Sequence, residues 1–298
     1  MNLARSVLCF VCGFSVFFSF SIAQISYSDN YQLSNLMPQD AFKKGVDFFL
    51  SKDLSEAENV FRYCIEQEPG NAEYTCWLAQ TLAFVLAERA KKGASSLSML
   101  PDGRKVKNLY YKAMELDPTC ERARIGQAVI LRDIPGWLGG SVKKAEAIFI
   151  DVLKKNPKSL SGMHFLGTLY TKKQKKYEKG IEILLEAIAL SKTMELTEEQ
   201  KLKMARTYHA VGKTYLNHLD QAEKSRPYFE QSLVLDPISP VTFLDLIEAC
   251  RETEHIAEAK ENLHKVADII HQHNYKRYKK DLAKAARKLK VKKKEVGL

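Results

Sequence analysis

A spacing of small, aromatic and proline residues recurs along this chain, and it restricts the fold more than any other feature of the sequence. Its first instance, G-x2-F-x8-A-x3-F-x2-C-x4-P, consists of Gly45, Phe48, Ala57, Phe61, Cys64 and Pro69. The second half of the pattern returns at Tyr110, Ala113 and Pro118; Ala145, Phe149, Val152 and Pro157; Gly180, Leu184 and Ala187; Phe229, Ser232 and Pro237; and Ala259, Leu263 and Val266. Units of this size bury their apolar faces against one another, so we expect stacked repeats.

The spacing indicates pairs of α-helices. Small residues at fixed positions let neighbouring helices approach closely, larger apolar residues fill the space between them, and proline ends the second helix. Ser55–Glu58 and Thr197–Gln200 resemble capping boxes. Polar residues that stand before apolar runs are Asn71, Thr119, Ser159 and Ser239. No long stretch alternates like a strand, so we predict an all-α solenoid of about six helix-turn-helix repeats with a C-terminal capping helix.

The pattern resembles the tetratricopeptide repeat (TPR), with Cys64 in place of that family's second alanine. First halves of the motif are visible at Leu166-Gly167, Val211-Gly212 and Leu246-Ile247. The resemblance implies a TPR-type helical solenoid that acts in protein–protein interaction.

Two repeats are longer than the pattern. The distance from Leu82 to Val106 exceeds the template by about fifteen residues, and a shorter addition lies at residues 134–141. Both additions fall between the two helices of a repeat, so we expect 91–105 and 134–141 to form loops that meet at one rim of the solenoid. Trp137 is a candidate lid or docking residue on that rim; packing over its own loop is the alternative.

The N-terminus predicts export. Arg5 is followed by an apolar run from Val7 to Ile22 and by small residues where a signal peptidase cleaves, so a signal peptide is expected to end near Ala23. The alternative is an uncleaved N-terminal membrane anchor. Such a protein is expected to be periplasmic or secreted. The predicted divisions are the signal peptide (1–23), a linker (24–37), the repeat domain (38–274) and a basic capping helix and tail (275–298).

The net charge of +10 is concentrated at the C-terminus. From Lys276 to Leu298, eleven Lys and Arg face two acidic residues, and residues 24–275 sum to zero. The body therefore has no general attraction for nucleic acid. An apolar stripe in the basic segment predicts a helix that caps the last repeat, and it consists of Tyr275, Tyr278, Leu282, Ala286 and Leu289. Lys290–Lys294 is expected to be a frayed, solvated end with a secondary attraction to anionic lipid or an acidic partner.

Four cysteines follow the signal segment: Cys64, Cys76, Cys120 and Cys250. Their spacing matches no disulfide scaffold and no CxxC motif, so buried free thiols are favoured. Disulfide formation is the alternative, and Cys64 with Cys76 is the pair to test first because one short turn separates them.

No catalytic signature is present. The chain lacks the G-x-S-x-G, H-E-x-x-H, P-loop and G-x-G-x-x-G motifs. His271 and His273 are two positions apart, which on a helix directs them to different faces. We expect a protein without enzymatic activity, cofactor or metal.

Binding is expected on the first helix of each repeat, whose outward side chains line the concave groove of a TPR solenoid. Projection of the template gives a groove that is apolar at its N-terminal end and cationic in its middle. An apolar body that ends in a carboxylate, either a peptide or a small organic acid, suits this combination; ordinary solubilising side chains are the alternative. The candidate groove and rim residues are Phe42, Val46, Phe49, Gln80, Arg122, Arg132, Trp137, His164, Thr168, Arg206, His209 and Lys213.

A second resemblance concerns one repeat. The second helix of the third repeat begins after Gly139-Gly140, contains Lys144-Ala145 and ends at Asn156-Pro157. With this helix, a predicted signal peptide and lengthened turns, the chain resembles the T component of bacterial TRAP transporters, the TatT family. That resemblance implies a periplasmic protein, often trimeric, that associates with a transporter's substrate-binding protein. We therefore expect a non-enzymatic envelope scaffold that binds another envelope protein or peptide. The alternatives are a carrier of a small apolar carboxylate and a self-associating assembly factor.

Overall fold

The computed structural model describes residues 33–91 and 94–298 and divides the chain into two units, residues 1–36 and 37–298. The described part of the first unit is a single 3₁₀ turn. Within the described residues of the second unit there are thirteen α-helices and no β-strand. None of the described helices is long and apolar enough to cross a membrane. The predicted signal peptide, 1–23, lies outside the described residues.

Twelve helices form six consecutive pairs, and the thirteenth packs on the last pair. The pairs are α1 (Pro38–Leu50) with α2 (Leu54–Gln67), α3 (Ala72–Lys91) with α4 (Ser96–Leu116), α5 (Glu121–Asp133) with α6 (Val142–Lys155), α7 (Leu160–Leu169) with α8 (Tyr177–Ser191), α9 (Glu198–His218) with α10 (Ala222–Leu235), and α11 (Pro240–Glu252) with α12 (Ile256–Gln272); the last helix is α13 (Lys279–Lys288). From α3 onward, each odd-numbered helix also contacts the next odd-numbered helix. The odd-numbered helices therefore form a continuous inner layer. The predicted all-α solenoid of six helix pairs with a C-terminal cap is confirmed.

Glycines at helix crossings determine how closely two helices pack. A Cβ on Gly180 of α8 would lie 2.4 Å from Cγ2 of Thr171 and 2.8 Å from the carbonyl oxygen of Gly167 on α7. In the first repeat, a Cβ on Gly45 would meet the ring of Phe61 at 2.7 Å. Such contacts leave no room for a larger residue, which is the physical basis of the small positions in the repeat pattern.

Three N-terminal caps follow the sequence prediction. Thr197 and Gln200 form the predicted capping box at α9. The side chain of Asn71 accepts backbone N–H groups at the start of α3, and Ser159 does so at α7. These caps satisfy N–H groups that have no partner inside their helix.

Two predicted caps are displaced by one or two residues. At α2, Asp53 rather than Ser55 accepts the N–H of Glu56, because Asp53 directly precedes the first helical residue. At α5, the residue before the helix is Cys120 rather than Thr119.

The longer insertion is helical, which corrects the prediction that 91–105 forms a rim loop. α3 and α4 run for 20 and 21 residues, so most of the additional residues extend these two helices. Ser95 caps α4, and Arg89 on α3 pairs with Asp102 on α4. The lengthened helices keep their backbone hydrogen bonds internal and contact each other, which a polar loop of that length cannot do.

The shorter addition, 134–141, is a turn, as predicted. A 3₁₀ turn at Gly136–Leu138 is followed by Gly139 in the left-handed conformation (φ +89°). The side chain of Ser141 accepts the N–H of Lys144 and caps α6.

The C-terminal segment covers the last repeat. The residues of the predicted stripe that are buried in the core shared with α11 and α12 are Leu282, Ala286 and Leu289. The expectation of a frayed end at Lys290–Lys294 is wrong. The chain reverses at Lys290 (φ +57°), and Val296 is buried, with its carbonyl oxygen 3.1 Å from Nε2 of His271. Val291, which is partly buried, packs against the same core, so two apolar side chains hold this lysine-rich segment against the body.

The chain end also reaches the first two repeats. Nζ of Lys52, in the turn after α1, lies 3.4 Å from the hydroxyl of Tyr275 and 5.5 Å from its ring centre. Arg277 donates from Nη1 to both carboxylate oxygens of Glu88 on α3, at 2.8 and 2.6 Å. We refer to these as the closing contacts, because they join the 3₁₀ turn Lys276–Tyr278 to the start of the solenoid.

Within the described residues the four cysteines are free thiols, as the sequence favoured. The sulfur nearest to Cys76 is nevertheless that of Cys120, at 3.2 Å. Cys64, the predicted partner, instead contacts the carbonyl oxygen of Pro38 at 3.5 Å.

We expect Gly180→Ala to destabilise the solenoid, because the added methyl group would meet backbone atoms of α7. Overpacking of this kind costs about 1–3 kcal/mol, and the better helix propensity of alanine offsets at most about 1 kcal/mol of it. The free energy of unfolding in urea measures the effect. Gly103→Ala is the matched control, since Gly103 also lies inside a helix but has nothing within 4 Å of its Cβ position. Equal effects of the two substitutions would contradict the close crossing of α7 and α8.

Candidate ligand-binding site

An open cavity of about 450 Å³ lies in the middle of the inner layer. It is formed by the end of α5, by α7 and by the turn that follows α7. Its lining residues are Arg132, Asp133, His164, Phe165, Thr168, Lys172 and Lys173. Arg132, His164 and Thr168 were predicted from the sequence, and the structure brings these three together.

A π-helical turn positions two of the lysines. After α7 the chain makes one wide turn, Tyr170–Gln174, which ends at Lys175 in the left-handed conformation (φ +56°). A π turn adds a residue to the helical cycle and so shifts the side chains that follow. Here it carries Lys172 and Lys173 to the cavity, while the buried Tyr170 anchors the turn in the core.

Phe165 forms the aromatic wall of the cavity. Nζ of Lys203 on α9 lies 4.3 Å from its ring centre, and the guanidinium carbon of Arg132 lies 5.4 Å from it. The ring of Phe149 stacks against Phe165 at 6.0 Å and supports it from the core. Each cation is stabilised by a cation–π interaction with the ring. The same arrangement places two positive charges close together, so they repel each other.

His164 is neutral in this site. Burial and then the positive charge of Lys203 lower the pKa of His164 well below its usual value. Its Nδ1 lies 3.0 Å from the hydroxyl of Thr207, and that hydroxyl donates its proton to the carbonyl oxygen of Lys203. Nδ1 must therefore carry the ring proton, which leaves Nε2 as an acceptor with no partner in the described part of the chain.

Several inner-layer cations lack an acidic partner. Arg132 and Lys173 share Asp133, at 2.7 and 3.7 Å. Around the cavity, the described residues place no carboxylate within 4.0 Å of Lys172, Lys203 or Arg206. The middle of the inner layer therefore carries excess positive charge.

Burial and, after it, this excess charge lower the pKa of Lys203 and Lys172. Partial burial and then the charge of Arg206 lower the pKa of Lys203 to about 7, against the opposing effect of Glu199. Reduced hydration and then the charge of Arg132 lower the pKa of Lys172. A bound anion would stabilise the charged form of both side chains.

Arg122, a predicted groove residue, is engaged by the protein itself. It donates two hydrogen bonds of 2.8 Å to the two oxygens of Glu199 on α9 and one of 2.9 Å to Gln80 on α3. Its guanidinium also stacks on the ring of Trp77 at 4.1 Å. Arg122 and Gln80 thus form a bridge between α3, α5 and α9.

His209 and Lys213 are likewise paired. Both contact Oδ2 of Asp245 on α11, at 2.8 and 2.9 Å. Burial raises the pKa of Asp245, but the hydrogen bond from His209 and the charge of Lys213 outweigh burial and lower it. These two predicted residues lie on the inner layer but do not line the cavity.

The predicted apolar end of the groove is mostly core. Phe42 and Val46 are partly buried, and Phe49 is only 8% exposed. The ring of Phe49 meets Trp77 at 5.3 Å, and that of Phe42 meets Tyr74 at 4.9 Å. These side chains join the first two repeats.

Phe165, Lys172 and Lys203 were missed by the sequence analysis. Phe165 directly follows His164, and Lys203 lies three positions before Arg206 on one face of α9, so a wider helical projection would have found both. Lys172 reaches the cavity through the π turn, which no signal in the sequence announces.

The described residues contain no group of three His, Cys, Asp or Glu side chains that could hold a metal ion. His271 contacts the carbonyl oxygen of Val296, whereas His273 stacks on Tyr275 at 5.4 Å. The two histidines therefore make separate contacts.

We expect Lys203→Met to stabilise the protein at pH 6. The unfolded chain keeps Lys203 charged up to about pH 10, whereas the folded chain releases the proton near pH 7. The charged form therefore opposes folding most strongly below pH 7, and this effect fades as the pH rises towards 10. With allowance for solvent screening, the gain at pH 6 is about 1–2 kcal/mol in the free energy of unfolding.

The matched control is Lys201→Met, two residues away on α9. The side chain of Lys201 is 44% exposed and pairs with Glu198 at the surface, so its loss should change stability by less than about 0.5 kcal/mol. A lower stability of Lys203→Met at pH 6 would show that the contact with Phe165 outweighs the charge repulsion.

We expect Trp137→Ala to leave stability within about 0.5 kcal/mol of the original chain, because Trp137 is 70% exposed. Urea denaturation measures this. A larger loss would instead support the alternative that the indole packs over its own turn.

No family model and no curated protein matches the chain. Solved structures do match: a TPR protein of Thermus thermophilus is 16% identical with a TM-score of 0.54, and the match covers 72% of this chain and 98% of that one. The human IFIT1 dimer with PPP-AAAA is 17% identical with a TM-score of 0.60, covering 85% of this chain and 59% of that one. The APC/C hetero-tetramer Cut9-Hcn1 is 14% identical with a TM-score of 0.59, covering 78% of this chain and 40% of that one. In fold, the chain is a TPR-type helical solenoid.

Proposed function

We propose that this protein is a non-enzymatic scaffold that binds a segment of a partner protein on its inner layer, with a carboxylate of that segment in the cavity. The observation that carries the proposal is a group of three cations without a carboxylate. Lys172 lines the cavity, Lys203 on α9 lies over the ring of Phe165, and Arg206 on α9 lies 5.5 Å from the ring centre of Phe84. Neighbouring cations are paired within the chain, so these three form a site that a partner completes.

The chemistry of the cavity suits a peptide. A carboxylate would neutralise Lys203 and Lys172 and accept charge-assisted hydrogen bonds from them. Phe165 offers an apolar face to the adjoining side chain. Nε2 of His164 needs a donor, and a peptide backbone N–H supplies one, whereas a fatty acid has none.

The inner layer suits an extended ligand. Its odd-numbered helices are continuous from α3 to α13, and solenoids bind partners along such surfaces. Among the matched structures, Cut9-Hcn1 is itself an assembly of two different proteins. We take that likeness as support for a role in protein–protein interaction.

A small apolar carboxylate is the second candidate ligand. The cavity volume, about 450 Å³, lies in the range of about 300–1,000 Å³ that is typical of small-molecule sites. In this case Phe165 would contact the apolar body of the ligand.

We also propose that the protein acts in the cell envelope, as an accessory of a transporter's substrate-binding protein. The support is the apolar run at 7–22 and the TatT-like features of the sequence. Recovery of a mature chain that begins at Gln24 from the envelope fraction would support the location.

Self-association through the C-terminal helix has no comparable support, because its apolar stripe is buried within the same chain.

The test is calorimetric titration with two hexapeptides of the same sequence, whose last two residues are leucine and phenylalanine. One has a free C-terminal carboxylate and the other has a C-terminal amide. We expect the amide to bind at least about tenfold more weakly, because it cannot neutralise the cations. Affinity for the carboxylate should fall as the pH rises through about 7, since Lys203 then loses its proton.

Substitutions on α9 test whether the peptide binds at the cavity. Lys203→Met should weaken the carboxylate peptide about tenfold, and Lys201→Met should leave it unchanged. Titration with octanoate tests the second candidate ligand. His164→Phe should reduce the affinity for the peptide but leave the affinity for octanoate unchanged. Equal binding of the two peptides, or no binding of either peptide or octanoate at millimolar concentration, would refute the proposed site.

A further inference from the structure

Two cysteines from neighbouring repeats meet beside the inner layer. Cys76 on α3 is fully buried, Cys120 precedes α5 and is partly exposed, and their sulfur atoms lie 3.2 Å apart. We propose that Cys76 and Cys120 form a reversible disulfide by exchange with a small external disulfide. This site is independent of the cavity and of the proposed function.

The fold brings the two sulfur atoms together although the residues are 44 positions apart. α3 and α5 are neighbours in the inner layer, and both cysteines lie near the starts of these helices. A disulfide bond is about 2 Å long, so the sulfur atoms need to move by only about 1 Å to bond. Neither repeat has to unfold.

The two thiols differ in reactivity. A hydrogen bond from Cys76 lowers the pKa of Cys120, and a backbone hydrogen bond from Ala123 at the start of α5 acts in the same direction. The same contact and burial raise the pKa of Cys76. Cys120 is therefore the attacking thiolate, because its side chain is partly exposed whereas that of Cys76 is fully buried, and because its pKa is the lowered one.

The reaction proceeds in two exchanges. The thiolate of Cys120 attacks one sulfur of the external disulfide, the external S–S bond breaks, and one thiolate leaves. The thiol of Cys76 then loses its proton to the solvent, and its sulfur attacks Cys120 and displaces the second external thiol. The external disulfide is reduced to two thiols, and the two protein thiols are oxidised to one disulfide.

The other two cysteines provide an internal contrast. Burial, with a smaller contribution from Glu68, raises the pKa of Cys64 to about 11. Burial, with a smaller contribution from Glu258, raises the pKa of Cys250 to about 12. Both remain thiols at neutral pH and should not exchange.

The position of the disulfide connects it to the inner layer. Cys120 is two residues from Arg122, and Cys76 is adjacent to Trp77, the ring on which Arg122 stacks. A bond between the cysteines would fix α3 relative to α5 at the bridge made by Arg122.

The experiment treats the full chain with oxidised glutathione at pH 7.5, cleaves it with trypsin and a glutamate-specific protease, and maps the peptides by mass. The second protease is needed because no Lys or Arg separates Cys64 from Cys76, whereas Glu66 and Glu73 do. We expect one linked pair, which joins the peptides of Cys76 and Cys120 and separates again on reduction. This result needs no variant and so does not depend on how substitutions affect folding.

Single substitutions test the order of the steps. In Cys76→Ser, the first exchange is trapped, so Cys120 should carry one glutathione. In Cys120→Ser, Cys76 should carry none, and the control Cys250→Ser should form the linked pair as the original chain does. Absence of the linked pair in the original chain, a pair that joins Cys64 to Cys76, or glutathione on Cys76 in Cys120→Ser would overturn the proposal.

Discussion

The ion pair of Arg122 with Glu199 is the contact on which the inner layer depends. It joins α5 to α9 across α7, and the hydrogen bond to Gln80 and the stack on Trp77 extend it to α3. Two parallel hydrogen bonds to one carboxylate also restrict the orientation of both side chains. The bridge therefore holds three non-consecutive inner helices in a fixed arrangement, which contacts between sequence neighbours alone would not provide.

The same pair determines the charge of the cavity. Glu199 lies four positions before Lys203 on α9, the spacing at which a glutamate would ordinarily pair with a lysine. Because Arg122 engages both oxygens of Glu199, Lys203 stays without a salt bridge. A structural contact between the third and fifth repeats thus leaves a cation of the fifth repeat available to a ligand. Cations held together in this way weaken the fold, as is common where a protein is arranged for binding rather than for stability.

The sequence predicted the fold better than the site. Helix pairs follow from local spacing: the small residue at Gly180 and the capping box at Thr197 reflect contacts within one repeat or one turn, so a repeating pattern reveals them. The insertion at 91–105 was misassigned because its length suggested a loop, whereas its residues extend both flanking helices. For the site, projection onto a helix found Arg132, His164 and Thr168. It could not show that Arg122 is engaged by Glu199, because that pairing depends on how helices 77 residues apart pack.

The closing contacts have a consequence for how the two ends of the solenoid are held together. Lys52 and Arg277 link the two ends of the solenoid, so the first two repeats and the C-terminal segment hold each other in place through residues more than 180 positions apart. Both contacts are exposed and polar, and Arg277 with Glu88 is an ion pair that salt screens. Raising the ionic strength should therefore weaken the link between the two ends of the solenoid, whereas the apolar packing inside each repeat does not depend on this charge pair.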